Sequence, residues 1–308
     1  MAPVKRIQIL LSTYNGEKYL REQLDSYLAM DCFTECDVLV RDDGSTDNTP
    51  SILNEYSNQH GFEVILGENI GVNASYQWLI KHSNPKYDYF AFSDQDDFWL
   101  PNKIALALSF LNQEPKDQIL LFASRSCVTN EQLEKIGYSL LPRKGISYYN
   151  AMVQNVLPGH TQVFNRKLRD TLALYGCLEA HVIDWWLYLI ASSMGKVLYS
   201  EKCTVLHRQH GNNAVGYQLS PLAGLIKKIR LIHEGKGNAI SCQLVAFLEV
   251  YGLQIPVDYR KETEAFLQGL GSFYKRLKYM SNCRVFRQKK SENFAFRLLY
   301  LYGKYVIE

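Results

Sequence analysis

From Arg6 to about Val128, short apolar runs alternate with longer stretches in which apolar residues recur every three or four positions. That is the pattern of strands interleaved with helices, and hence of a mostly parallel sheet. Strands are predicted at Arg6 to Ser12, Asp37 to Arg41, Glu63 to Leu66, Tyr89 to Ser93 and Ile119 to Ala123. Between the first two, Glu17 to Met30 brings Tyr19, Leu20, Leu24, Tyr27 and Leu28 near one face of a helix. Thr49-Pro50 reads as an N-cap followed by proline at the first helical position, and Pro101 lies in the first turn of a helix through Leu111. From Gly145 to His210 short helices and strands are expected, among them a helix around His181 to Met194. After Asn213 the alternation stops. Helix-like segments follow at Pro221 to His233, Asn238 to Tyr251, Tyr259 to Met280 and Glu292 to Val306. The predicted organisation is an α/β domain over residues 1–215, in halves 1–125 and 126–215, and an α-helical region over 216–308.

Composition narrows the class. A 308-residue chain that is 47% hydrophobic and 13% aromatic lies far from the disordered range. Its seven cysteines are scattered and odd in number, with no paired CxxC motif, as expected of reduced thiols in a cytoplasmic protein. The opening Met-Ala-Pro-Val-Lys-Arg leads into a strand without an apolar stretch, so no secretory signal is expected. The longest uncharged stretch, Ile146 to Asn165, contains Asn, Gln, Pro, Gly and His and cannot span a bilayer. Net charge is +3, but residues 271–308 hold nine Lys or Arg against two Glu, so the positive charge is concentrated at that end. No motif for nucleic acid accompanies it, and none is expected to bind.

Three predicted strands end in polar clusters: Ser12-Thr13-Tyr14-Asn15, Asp42-Asp43-Gly44-Ser45-Thr46-Asp47 and Asp94-Gln95-Asp96-Asp97. Each alone is compatible with turn or cap chemistry. Together they lie where open α/β sheets bind ligands, beyond the carboxyl ends of the strands. In an extended segment Asp94 and Asp96 project to the same side, the oxygen-rich presentation that Mg²⁺ or Mn²⁺ requires. The alternative is that these acids cap the helix after Pro101.

These three motifs, in order and spacing, with Glu68-Asn69-Ile70-Gly71 before the third helix, resemble those of the family 2 glycosyltransferases. The resemblance covers about residues 5 to 215. It implies a GT-A nucleotide-diphospho-sugar transferase fold, with a nucleotide-sugar half, an acceptor half and inversion at the anomeric carbon. By that resemblance Ser12, Tyr14, Asp42 and Asp43 hold the nucleotide, Asp94 faces the ribose and Asp96 binds a divalent Mn²⁺ or Mg²⁺. His181-Val182-Ile183-Asp184-Trp185-Trp186 resembles the family's late acidic motif, which makes Asp184 the base for the acceptor hydroxyl. As a purely structural alternative Asp184 caps a helix, and His181 packs or caps. Leu206-His207-Arg208-Gln209-His210-Gly211-Asn212-Asn213 resembles a segment of bacterial rhamnosyltransferase-like members, which points to His210 as a metal ligand and Arg208 as a diphosphate partner. Gly159-His160-Thr161 is read as lining the acceptor side, or as a tight turn.

The implied donor is a nucleotide sugar, dTDP-L-rhamnose or a UDP-linked glucose or galactose, since nothing in the base-binding motif separates thymine from uracil. The implied acceptor is a glycan or lipid-linked glycan in bacterial polysaccharide biosynthesis. A non-catalytic sugar-binding relative is the rival reading. A dehydrogenase or P-loop enzyme is disfavoured by the absence of GxGxxG and GxxxxGK[ST], and a nucleotidyltransferase by the absence of a Gly-rich, Arg-containing phosphate loop after the first strand. The basic, aromatic tail suits the inner face of a membrane, a packed helical bundle or a homodimer interface.

Overall fold

A computed structural model describes residues 6–176, 182–210 and 238–306. The chain divides into two compact units. The first comprises Met1–Leu141, Leu157–Gly176 and Gly195–Ala214, and the second Pro142–Val156, Cys177–Met194 and Val215–Glu308.

The first unit is built on one sheet. Its strands are β1 (Ile7–Thr13), β2 (Cys36–Asp42), β3 (Glu63–Leu66), β4 (Tyr89–Ser93), β5 (Phe98–Trp99), β6 (Leu120–Thr129), β7 (Lys135–Tyr138), β8 (Val163–Asn165) and β9 (Lys196–Arg208). They run in the order β3-β2-β1-β4-β8-β6-β9-β5, with β7 against β6. The pairings among β1 to β4 are parallel, as the alternating pattern predicts. The other half is mixed, because β8 is antiparallel to both β4 and β6, while β6 and β9 are parallel.

Period-two alternation assigns the sheet's two faces. On β1, Ile7, Ile9 and Leu11 join a core with Leu20, Leu24 and Tyr27 of helix Leu20–Leu28, Ile52 and Leu53 of helix Thr49–His60, and Ile104 and Ala107 of helix Lys103–Leu111. On the opposite face Phe92 packs against Tyr76 of helix Val72–His82. There Gln8, buried within a strand, accepts a hydrogen bond from Asn84 N at 2.8 Å, which satisfies its carboxamide oxygen.

The second unit is helical among the described residues. Ser147 caps the short helix Tyr148–Ala151 by accepting from Asn150 N. Helix Ile183–Met194 packs on it, with Trp185 Nε1 donating to Ala151 O at 2.6 Å. Trp186 meets Phe247 and Tyr251 of helix Ala239–Tyr251 edge-on, and Tyr148 Oη pairs with Thr263 Oγ1 of helix Val257–Gly269 at 2.9 Å. Helices Phe273–Asn282 and Lys290–Leu301 complete the bundle around Phe266, Tyr279, Phe296 and Tyr300.

Two expectations change. The predicted boundary at residue 215 gives way to an interleaved division, because 142–156 and the helix beginning at Ile183 join the C-terminal helices through these aromatic contacts. The single helix predicted over Tyr259 to Met280 is two. It breaks at Gly269-Leu270-Gly271, where a Cβ on Gly269 would lie 2.2 Å from Tyr300 Oη, and Ser272 caps the next helix by accepting from Lys275 N. The predicted helix Pro221 to His233, His181, and the run from Gly211 to Gly216 lie outside the described residues.

Candidate active site

The strand order β2-β1-β4 makes the carboxyl ends of β1 and β4 a topological switch point, where loops leave in opposite directions and open a crevice. All three polar clusters meet there.

The loops after β1 and β2 are pinned to each other. Asn15 occupies the left-handed region (φ 47°), a conformation Asn tolerates because its short amide can bond locally. Its backbone N–H donates to Ser45 Oγ at 2.8 Å, and its Oδ1 accepts from Thr46 N at 2.9 Å. Asp42 is buried and accepts from Thr13 Oγ1 at 2.8 Å, Ser45 Oγ at 2.6 Å and Ser45 N at 2.9 Å. Both of its oxygens thus help to build the loop.

Asp43 is the centre of a second network. It is buried against Arg41, and accepts from Ile70 N and Gly71 N at 2.9 Å each. Arg41 in turn donates to Ser75 Oγ at 3.2 Å and to Glu68 O at 2.8 Å, and Ser75 bonds Ser12 at 2.6 Å. Gly67 is required beside this arginine, since a Cβ there would lie 2.6 Å from Arg41 Nη2. Ser12 and Asp43 are therefore brought together. Tyr14 stands on the rim, 48% exposed, its backbone N–H and C=O both bonded by the Gln95 carboxamide at 2.8 and 3.0 Å. Gln95 thereby joins the β1 loop to the β4 loop.

Beyond β4 the chain bends at Gln95 and Asp96, and the three aspartates diverge. Asp94, partly exposed, accepts from Tyr76 Oη at 3.3 Å and lies 3.5 Å from His160 Nδ1. Asp96 meets His210 Nε2 at 2.7 Å. Burial, then the charges of Asp97 and Asp94, push its carboxyl up to about 6. Neither acid caps helix Lys103–Leu111, whose N-cap is Asn102. The expected metal pair, Asp96 and His210, is thus assembled from opposite ends of the unit. Their O,N donor set is one that would suit a small divalent cation.

Asp97 faces inward and is fully buried. It binds His207 Nδ1 at 2.8 Å and Arg208 N at 3.1 Å, with His160 Nδ1 at 3.6 Å. Burial alone would raise its carboxyl, but His160 and His207 beside it hold it below the usual carboxylate range. For His207 burial opposes the charged form and Asp97 outweighs it, so the imidazole is pushed up to about 9. Beneath them the wholly buried Lys103 donates to His160 O at 2.8 Å and sits 4.3 Å from the Trp99 ring centroid. Burial lowers its amine to about 7, against the pull of Asp97 and Asp94.

Asp97, His160 and His207 bring three donor atoms within 4.8 Å of one another, a set able to attract an ion in its own right. However, the two rings are stacked, with centroids 4.3 Å apart and planes 13° from parallel. An ion bound through an imidazole nitrogen lies in that ring's plane, and two stacked planes share no such point. The trio is better described as a buried charge cluster that supports the Asp96 turn. Sequence reasoning gave Asp97, His207 and Lys103 no role, and no local signal marks Lys103, which looks like an ordinary polar residue in a first helical turn.

Arg208, the expected diphosphate partner, lies next to Asp96. It is 1% exposed, stacks 4.5 Å over the Tyr19 ring centroid, and donates to Asp96 O at 3.0 Å, Glu131 O and Glu22 Oε2 at 2.7 Å. Its guanidinium thereby fixes the backbone of Asp96. Asp184 stands in the first turn of helix Ile183–Met194, in the second unit.

Comparison with known proteins gives the family and the fold. The family model "Glycosyl transferase family 2" matches residues 8–172. The dTDP-rhamnosyl transferase RfbG of Shigella flexneri is 28% identical over 229 residues, covering 68% of this chain and 75% of that protein. The uncharacterized protein Rv1520 of Mycobacterium tuberculosis is 26% identical over 212 residues. That match covers 67% of this chain and 59% of the mycobacterial protein's length. Among solved structures, Staphylococcus aureus TarS in complex with UDP-GlcNAc superposes with a TM-score of 0.58 at 16% identity, covering 97% of this chain and 88% of that one. The mannosyltransferase PcManGT of Pyrobaculum calidifontis, in complex with GDP-Man and Mn²⁺, gives 0.50 at 16% identity, covering 98% and 86%. The fold is that of the GT-A glycosyltransferases.

Proposed function

Since the chain belongs to glycosyltransferase family 2, we propose that it transfers a sugar, L-rhamnose from dTDP-L-rhamnose, to a hydroxyl of a glycan or lipid-linked glycan in bacterial cell-surface polysaccharide biosynthesis. The observation that carries the transferase reading is the Asp96–His210 pair at 2.7 Å beyond β4. The rhamnosyl donor is supported by the similarity to RfbG.

In this reading Ser12, Tyr14 and Asp43 receive the nucleotide base, Asp94 the ribose, and Asp96 with His210 a Mn²⁺ or Mg²⁺ ion. Such an ion supplies Lewis-acid neutralisation of the diphosphate as it leaves. Asp184 takes the proton of the acceptor hydroxyl while that oxygen bonds to the anomeric carbon and the bond to the diphosphate breaks. The proton neutralises the carboxylate, the electron pair of the breaking C–O bond leaves with the nucleoside diphosphate, and the anomeric centre inverts.

A donor screen tests this by measuring nucleoside diphosphate released from dTDP-L-rhamnose, UDP-glucose and UDP-galactose, with Mn²⁺, with Mg²⁺ and with chelator. Release at least about tenfold faster from dTDP-L-rhamnose, and lost on chelation, is expected. Preference for a UDP sugar would replace the donor, and full turnover in chelator would remove the ion from Asp96 and His210.

A further inference from the structure

The second unit carries a surface that sugar transfer does not explain. Helices Phe273–Asn282 and Lys290–Leu301 are neighbours, since Arg276 donates to Leu301 O at 2.8 Å and Arg297 to Met280 O at 3.3 Å. Arg276, early in the first helix, meets the last residue of the second, and Met280, late in the first, meets the earlier Arg297, so the pair is antiparallel. Their inner faces hold Tyr279, Met280, Phe296 and Tyr300, all buried. Their outer faces are not polar. Phe273 and Leu277, four residues apart, lie exposed beside Tyr274 on one helix, and Phe294, Leu298 and Tyr302 form an i, i+4, i+8 stripe along the other. Exposure in this set runs from 39% at Leu298 to 77% at Tyr302. Six large apolar side chains on two adjoining helices exceed the scattered surface hydrophobics that need no explanation.

The charge on this stretch is mostly positive, although Glu262 of the adjoining helix accepts from Tyr279 Oη at 2.8 Å and Arg284 N at 3.2 Å. Residues 271–306 contain nine Lys or Arg and a single acid, Glu292, which is paired with Lys289 at 3.7 Å. Lys275, Lys278, Lys289, Lys290 and Lys304 are exposed. Apolar side chains flanked by exposed lysines complement an anionic interface with a hydrocarbon layer beneath it, where aromatics enter the headgroup boundary and ammonium groups remain among the phosphates. We propose that these two helices form a docking face for an anionic lipid bilayer, in which Phe273, Leu277 and Phe294 insert and the lysines set the preference for charge. This goes beyond the donor chemistry and rests on the proposed function only in that a lipid-linked acceptor would give the docking a purpose.

The test is co-sedimentation of the full chain with vesicles of phosphatidylcholine alone or with about one-third phosphatidylglycerol, at low and high salt. Binding to the anionic vesicles only, weakened by salt, is expected. Lys275→Gln with Lys278→Gln should weaken it about 30-fold, and Phe273→Ser with Phe294→Ser should abolish it. Both double variants should keep their thermal unfolding midpoint and their turnover of a water-soluble acceptor. Equal binding to neutral vesicles, or none to either, overturns the proposal. So does self-association of the chain that the same substitutions abolish, since the face would then meet a second copy. Because vesicle binding is read without donor, a failed donor screen leaves it standing, and failed vesicle binding leaves the transferase reading standing.

Discussion

Asp96 and Asp97 are adjacent in the chain, yet their surroundings push them in opposite directions. Asp96 is desolvated beside two like charges, whereas Asp97 is desolvated beside two imidazoles and a backbone N–H. On the proposed reading the first would hold an ion together with His210, whereas the second is locked into the protein by His207 and Arg208 N. Asp96→Ala is expected to abolish both turnover and metal-dependent donor binding, measured by isothermal titration with and without Mn²⁺. Asp184→Asn should lower kcat by a factor of about 100 or more while leaving donor affinity unchanged, and full activity in that variant would move the base elsewhere. Arg208 acts differently, through the main chain. Arg208→Met leaves Asp96 O, Glu131 O and Glu22 without this donor, so a loss of roughly 2–4 kcal/mol in urea unfolding is expected. Lysine should not restore it, because a point charge cannot replace a planar fork that serves three acceptors.

The elements that place these residues are strand ends, and the joints between them are tight. Gly44 lies at φ +79°, where a Cβ would stand 2.9 Å from the backbone N of Asn69. Gly44→Ala meets both a disfavoured backbone region and an immovable neighbour. A stability loss of about 1–3 kcal/mol and a raised donor KM are expected, checked by thermal unfolding and initial-rate kinetics. This part of the fold was legible in the sequence, because an apolar run followed by Thr-Tyr-Asn-Gly, Asp-Asp-Gly-Ser or Asp-Gln-Asp-Asp shows both the strand and the loop that leaves it. β8 was not. Three residues, Val163–Asn165, are too few to display a period, and its antiparallel direction is set by the strands it joins. The helix break at Gly269-Leu270-Gly271-Ser272 was present in the sequence but masked by apolar spacing that continues across it. Lys103 and His207 escaped because their partners are 57 and 110 residues away, a distance over which local patterning carries no information.

For the whole molecule the buried cluster makes stability depend on pH in two opposed ways. His207, raised to about 9, contributes stability that is full below the ordinary histidine value near 6.5 and is lost as pH rises through 9. Lys103, lowered to about 7, is neutral when folded above that pH while the unfolded chain still binds its proton, so stability rises from pH 7 toward the usual lysine value near 10.4. Between pH 7 and 9 the two trends offset each other, and the wild-type curve should be nearly flat. In Lys103→Met only the histidine limb remains, so stability should fall by up to about 3 kcal/mol across that window, measured by guanidinium unfolding at closely spaced pH values. A flat curve in the variant would mean that His207 is not charged in the fold.

The pairing of β6 with β9 bears on the order in which the molecule can be made. During synthesis the strands β1 to β4 emerge first and can pair among themselves. Asp96, however, must wait 114 residues for His210, and Asp97 waits 110 for His207. A nascent chain released before β9 therefore carries the base-side loops without the histidines opposite the aspartates. On the proposed reading, a ribosome that stalls midway would yield a fragment with no assembled cation site, and premature products would be silent rather than promiscuous.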